Sequence, residues 1–529
     1  MKLKSATLRT FSAVHTWTGL VAGFALFVAF YAGAITVFHH DLPAWQSRAV
    51  AEQRRQSLDE AQQLLDGVLQ QHPEARVHVG MLFPGSEWPQ SSAYWQDAKG
   101  TWLFATLDDL DGSPKPPQAG LPELLNELHY SLGLPVAGTW LMGIVSLLYG
   151  LALLSGVVIH LPKLANNLFA LRPGRNLKQF WQDAHNIVGV LSLPMHVMFA
   201  ITGALLCLLF VLMTALNPLV YGGKLMQAVP AAMDTAPVRE ATGIETSAGS
   251  LAMWRTRSIE VARAQGIHDF EPSYLKLANA GDRNAVVEVT GESSRALGAL
   301  GSVALDASTG EVLATQLPGR RDANHATLAA TYALHFGEYG NALVPWLYFL
   351  LGVGGAFLFY SGNLLWIESR RKRRQQAQGR AQVNMARATV GVCIGFCVAV
   401  SAAFVAAQAF EALAPARVDA GMRWTCFLAW AACAAWAAVR PPARAAREVL
   451  WLAAATTAAI PLAHGLASGL WPWTSAAAGH WGPFWVDAVA LAMSLAFASL
   501  ARASARRARQ GEPNSVWADP SSSFPHSPQ

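Results

Sequence analysis

A pattern of histidine and glycine occurs twice along the chain and restricts its fold more than any other feature. His15 is followed by Gly19 four residues on and by Gly33-Ala34 eighteen residues on. His185 is followed in the same way by Gly189 and by Gly203-Ala204. Each of these apolar runs leads into a long polar segment and then into a second matched run. His129 precedes Trp140 by eleven residues and Ser155-Gly156 by twenty-six and twenty-seven, and His335 precedes Trp346 and Ser361-Gly362 by the same offsets. The second histidines sit in Leu128-His129-Tyr130 and Leu334-His335-Phe336. Repeated spacing of this kind marks a duplicated structural unit: helix, polar domain, helix, with one histidine at each helix start.

The runs are long enough to cross a bilayer, which takes about 20 apolar residues. With 53% hydrophobic and 14% charged residues in 529, the chain reads as an α-helical integral membrane protein. Eight spans are predicted at roughly 13–38, 137–161, 186–214, 342–367, 388–410, 422–439, 449–468 and 484–501. The first run is too long, and lacks the cleavage pattern, for a removable signal peptide. Lys and Arg collect at every second boundary, from Lys2, Lys4 and Arg9 through Arg370-Arg371-Lys372-Arg373-Arg374 to Arg506-Arg507. Basic loops stay cytoplasmic, so both termini are expected there and the polar segments on the extracytoplasmic face. The net charge of +5 then reflects topology and gives no reason to invoke nucleic acid. All five cysteines, Cys207, Cys393, Cys397, Cys426 and Cys433, fall in predicted spans, so disulfides do not hold the polar domains together.

The polar segments read as two small α+β domains. The first has a capped helix from Ser57 to about Gln71, strands at 76–79, 93–95 and 102–106, and a turn at 107–113. The second has a helix at 258–265, strands at 274–277, 285–289 and 301–305, a turn at 306–310 and a closing strand at 311–315. The aromatic residues Trp88, Trp95 and Trp102 are candidates for a docking surface. The full reading is span 8–40, domain 41–128, span 129–162, cytoplasmic loop 163–184, span 185–215, domain 216–334, span 335–368, basic linker 369–387, a four-span extension at 388–501 and a disordered tail at 502–529.

Ionisable residues in spans are costly and point to function. His15 and His185 both open inward-to-outward helices, and His129 and His335 both open outward-to-inward ones. Folding two copies of the unit against each other would pair like with like, one histidine pair per membrane face. Zinc usually takes three or four ligands, whereas haem iron is satisfied by two axial imidazoles. Gly19, Gly23 and Gly189, one or two turns after the histidines, would leave room for a flat macrocycle; close helix packing is their other reading. Arg172 and Arg175 could meet propionates. The expectation is two b-type haems (heme b), with no covalent attachment because Cys-x-x-Cys-His is absent. His39, His40, His160 and His196 have no duplicate. His160 or His196 could replace a duplicated ligand or serve a third haem. His185 and His196 are eleven residues, about three turns, apart and so point to one side, with a kink expected at Pro194.

Several ordered motifs resemble the PepSY-associated transmembrane family. They are His15-Thr16-Trp17-Thr18-Gly19-Leu20, Leu128-His129-Tyr130-Ser131-Leu132, Ser155-Gly156-Val157-Val158-Ile159-His160, Phe169-Ala170-Leu171-Arg172-Pro173-Gly174, Asp183-Ala184-His185-Asn186 and Leu334-His335-Phe336-Gly337. The polar segments, with Asp306-Ala307-Ser308-Thr309-Gly310-Glu311-Val312, look like PepSY modules, and the likeness covers about residues 8–374. The resemblance implies an inner-membrane ferric-siderophore reductase, with His15, His129, His185 and His335 as haem ligands and no acid–base catalytic residue. Electrons would come from a cytoplasmic donor or from quinol and pass to a ferric siderophore at the outer face. A non-enzymatic sensing or inhibitory module and an iron or siderophore permease are the alternatives.

Overall fold

A computed structural model describes residues 4–85, 89–115, 120–161, 177–225, 234–293, 297–372 and 378–519. Two compact units emerge, one made of residues 1–51, 120–208 and 347–529 and the other of 52–119 and 209–346.

The first unit is helical. Seven helices among the described residues are long and apolar enough to cross a membrane, and counting a bent pair as one more gives eight. In order they are Ser5–Thr36, Ala137–His160, the pair Lys178–Leu191 and Leu193–Leu209, Leu343–Ser369, Arg380–Leu413, Pro415–Val439, Pro442–Ser468 and Trp481–Gln510. The chain is therefore a multi-pass membrane protein. The pair is bent by 69° at Ser192, just before Pro194. Proline has no amide hydrogen and its ring collides with the carbonyl four residues back, so the helix cannot run straight through. This corrects the expectation that His185 and His196 share one face: they stand on separate helical segments.

The histidines also sit differently on their helices than expected. His15 lies ten residues inside the first span, which begins at Ser5. His129 does not open the second span; it lies in the last turn of a separate short helix, Leu121–Ser131. Left-handed backbone at Leu132 and Gly133 ends that helix before the span begins at Ala137. His335 repeats this arrangement at the end of Ala323–Phe336, which Gly337 terminates at φ 76°. Every cysteine is unpaired. Cys393, Cys397, Cys426 and Cys433 are buried among Ala, Val and Phe side chains of the fifth to eighth spans, as small packing residues.

The second unit holds one eight-stranded antiparallel sheet in the order β4-β3-β2-β1-β5-β6-β7-β8. Its strands are β1 His78–Leu82, β2 Ala93–Gln96, β3 Trp102–Thr106, β4 Asp109–Ser113, β5 Glu271–Ala278, β6 Val286–Glu292, β7 Leu300–Asp306 and β8 Val312–Gln316. Each polar segment supplies four strands and one helix that packs on the sheet, Leu58–Gln71 or Leu251–Ala264. The two modules expected as separate domains fuse where β1 pairs with β5, in the register Gly80↔Lys276. Alternate residues Val79, Met81, Trp95, Leu275, Leu277, Val287, Val289, Val303 and Leu305 face one way and form a core with the two helices. Trp95 is fully buried there, so it belongs to the core and not to a docking surface. Trp102 is half exposed, and Trp88 lies outside the described residues. Two boundaries move. The expected turn at 107–113 contains strand β4, and the second helix starts at Leu251, capped by Ser250 accepting from the Met253 amide.

Candidate functional site

Two of the four duplicated histidines meet. The rings of His15 and His185 stand with centroids 6.2 Å apart and planes 83° apart. His15 belongs to the first copy of the repeat and His185 to the second, so the pair is built from like positions of both halves.

The matched serine–glycine pairs lie behind these rings. His15 Nδ1 donates to the Ala152 carbonyl at 2.8 Å, and Ser155 Oγ is 3.5 Å away. His185 Nδ1 is 3.1 Å from Ser361 Oγ, whose own hydroxyl donates to the Leu358 carbonyl at 2.9 Å. A carbonyl only accepts, and a hydroxyl whose hydrogen is already committed also accepts. Both Nδ1 atoms therefore carry the proton, and both Nε2 atoms keep their lone pair. Glycine follows each serine because the ring lies over it: a Cβ at Gly156 would be 3.2 Å from His15 Cε1, and one at Gly362 would be 3.4 Å from His185 Cε1.

His129 obeys the same rule against the first span. Its Nδ1 donates to the Ala29 carbonyl at 2.8 Å. A Cβ at Gly33 would stand 2.6 Å from that nitrogen, so only glycine fits eighteen residues after His15. The glycines noticed as spacing in the sequence thus serve the histidine of the partner span. Of those one or two turns from a histidine on its own helix, Gly19 has no neighbour within 4 Å, Gly23 meets Asn363 Oδ1 at 3.9 Å and Gly189 meets Leu358 Cδ1 at 3.4 Å. Gly19 alone leaves open space, one turn from His15. His335 belongs to the sheet unit, where its ring packs edge-on to Phe336 with centroids 5.3 Å apart.

The unduplicated histidines separate into distinct settings. His160 ends the second span, within electrostatic range of His15 and His185. His196 is 1% exposed, bonded through Nδ1 to the Tyr149 hydroxyl, and its Nε2 has no partner among the described residues. Phe30 packs on both Tyr149 and His196, with centroids at 5.7 and 5.5 Å. The His39 and His40 rings lie with centroids 3.7 Å apart and planes tilted by 41° beyond the first span, and His39 Nδ1 donates to the Thr36 carbonyl. Arg172 and Arg175 lie outside the described residues.

One cluster escaped the sequence reading. His464 Nδ1 donates to Asp487 Oδ2 at 2.8 Å, and Asp487 Oδ1 accepts from Trp45 Nε1 at 2.8 Å. All three side chains are fully buried. An acid inside the apolar run of the eighth span was the available signal.

Two neutral imidazoles with free lone pairs, set between apolar helices, suit a metal that needs only two protein ligands. Among the described residues no group of three or more His, Cys, Asp or Glu side chains could hold a metal ion. The donor set thus fits an axially ligated porphyrin and does not fit a zinc centre.

Comparison with known proteins gives two results. The family model described as the PepSY-associated TM region matches residues 12–369. An uncharacterised protein of Pseudomonas aeruginosa is 28% identical over 315 residues, which cover 56% of this chain and 74% of that protein.

Proposed function

Because this chain belongs to the PepSY-associated transmembrane family, with a paired-histidine site inside its matched region, we propose that it is a haem-containing oxidoreductase of the bacterial inner membrane. It reduces ferric iron held by siderophores on the periplasmic side. The observation that carries this reading is the approach of His15 and His185 from the two copies of the repeat to 6.2 Å.

Bound between these imidazoles, haem b would supply reversible one-electron Fe(III)/Fe(II) chemistry. The residues of the chain provide its setting. His15 and His185 offer Nε2, while Ala152 and Ser361 hold the opposite ring nitrogen and fix the tautomer. His129, with the same tautomer, is assigned to a second haem. The distribution of Lys and Arg puts His15 and His185 toward the cytoplasm, where electrons enter from a soluble donor or from quinol. The substrate is Fe(III) in a siderophore. One electron converts it to Fe(II), which hard oxygen ligands hold less tightly, and the metal is released.

Reoxidation separates the activity from the cofactor. Protein reduced with dithionite under anaerobic conditions is mixed with a ferric siderophore and its α-band followed. Loss of the reduced band, with Fe(II) captured by a chromogenic chelator, is expected. A stable reduced band would overturn the substrate assignment while leaving the haem in place.

A further inference from the structure

We propose that the four C-terminal spans form a brace for the short helix that presents His129, and that Arg423 is the positioning residue through which they act. The inference rests on the haem reading for what His129 does, but not for what holds it.

Each of these spans sends a polar side chain toward the same place. The target is helix Leu121–Ser131 and the segment around Trp45-Gln46 that starts it. From the sixth span, Arg423 forks onto both carboxylate oxygens of Glu127, two residues before His129, with Nη2 to Oε1 at 3.2 Å. Arg423 Nε also donates to Asp419 Oδ1 at 2.7 Å, one turn back on its own helix, which fixes the plane of the guanidinium. Phe427, one turn further on, covers the end of the His129 helix. Gly133 there has φ 73°, and a Cβ on it would lie 2.6 Å from Phe427 Cζ.

The other end of the helix is held through an intermediary. The Leu121 amide donates to Gln46 Oε1 at 2.9 Å. Gln408 of the fifth span donates to the Trp45 and Gln46 carbonyls at 2.8 and 3.3 Å. Trp45 is tied to Asp487 of the eighth span, which is tied to His464 of the seventh. Polar side chains in apolar spans are costly unless they serve a purpose. Here Gln408, Arg423, His464 and Asp487 converge on the two elements that set the position of His129. None of the four lies within the residues that match the family, 12–369. The extension therefore adds a clamp to a core that already contains the histidines.

The test uses the full-length protein in detergent, with Arg423→Met and Arg423→Lys beside the wild type. Hydrogen exchange reads the helix, and electron paramagnetic resonance reads the low-spin haem signals. In Arg423→Met, amides of 121–133 are expected to exchange roughly tenfold faster while those of 177–191 do not change. One of the two low-spin signals shifts or is lost, and the other is retained. Lysine keeps the charge but cannot fork, so Arg423→Lys falls between the two. Should Arg423→Met fail to fold, Glu127→Gln carries the same comparison. Unchanged exchange at 121–133 would overturn the brace. Faster exchange with both haem signals intact would overturn the positioning role. Wild-type protein without haem would sink the parent reading, and the exchange arm would still decide whether Arg423 holds the helix.

Discussion

At the scale of single residues, the chemistry depends on which ring nitrogen of each histidine is already taken. His15, His129 and His185 all commit Nδ1 to an acceptor of the partner span, so their lone pairs face the other way. Removing the Ser361 hydroxyl loosens the His185 ring without touching the ligand, leaving it the Leu358 backbone bond alone. Ser361→Ala is expected to leave folding intact and to weaken haem retention roughly tenfold or more, measured as haem transfer to an excess of apomyoglobin. Gly33→Ala places a Cβ 2.6 Å from His129 Nδ1 and displaces that ring, so it should change the haem spectrum. Gly19→Ala meets no protein atom within 4 Å but projects into the space beside His15, so it should leave the fold of the haem-free protein unchanged and weaken haem retention in the same transfer measurement. Much of this was legible in the sequence, because a histidine and a serine–glycine pair recur at fixed offsets. What spacing could not give was the direction: the glycines serve the facing span, a fact of three-dimensional packing.

At the scale of elements, local signals were strong where the backbone enforces them. Pro194 broke the third span as expected, since no neighbour can restore its missing donor. Ser57 and Glu60 form the capping box that starts helix Leu58–Gln71. Hydrogen bonds from Arg54 and from the Ser57 amide hold Glu60 down to about 2, against an ordinary value of 4.5. A carboxyl with a depressed folded value stabilises fully above its unfolded value and loses that contribution as pH falls through the folded one. Glu60→Gln should therefore reduce the acid sensitivity of the sheet unit between about pH 4.5 and 2, with little change at pH 7 beyond the weakened cap. Acid titration followed by tryptophan fluorescence reads it, and an unaltered acid slope would contradict it. The second helix began seven residues earlier than expected because its cap, Ser250, lacks a glutamate three residues on. The breaks at Leu132 and Val136 were also hidden, because positive φ at residues other than glycine has no sequence signature.

At the scale of the whole molecule, duplication is the plan. Two copies supply matched spans, and two four-stranded modules join edge to edge through β1 and β5 into one sheet. The copies were visible as an offset in the sequence. Their union was not, because either module could have ended at a free edge. The C-terminal spans carried no repeat, and their role becomes visible only in the contacts of Gln408, Arg423 and Asp487. The central claim is that imidazoles from both copies share iron porphyrin, and haem content measures it most directly. Pyridine haemochrome quantitation of the purified protein should give b-type haem at about two per chain, and His15→Ala or His185→Ala should each remove one. Protein that folds fully but shows no Soret band would contradict the account.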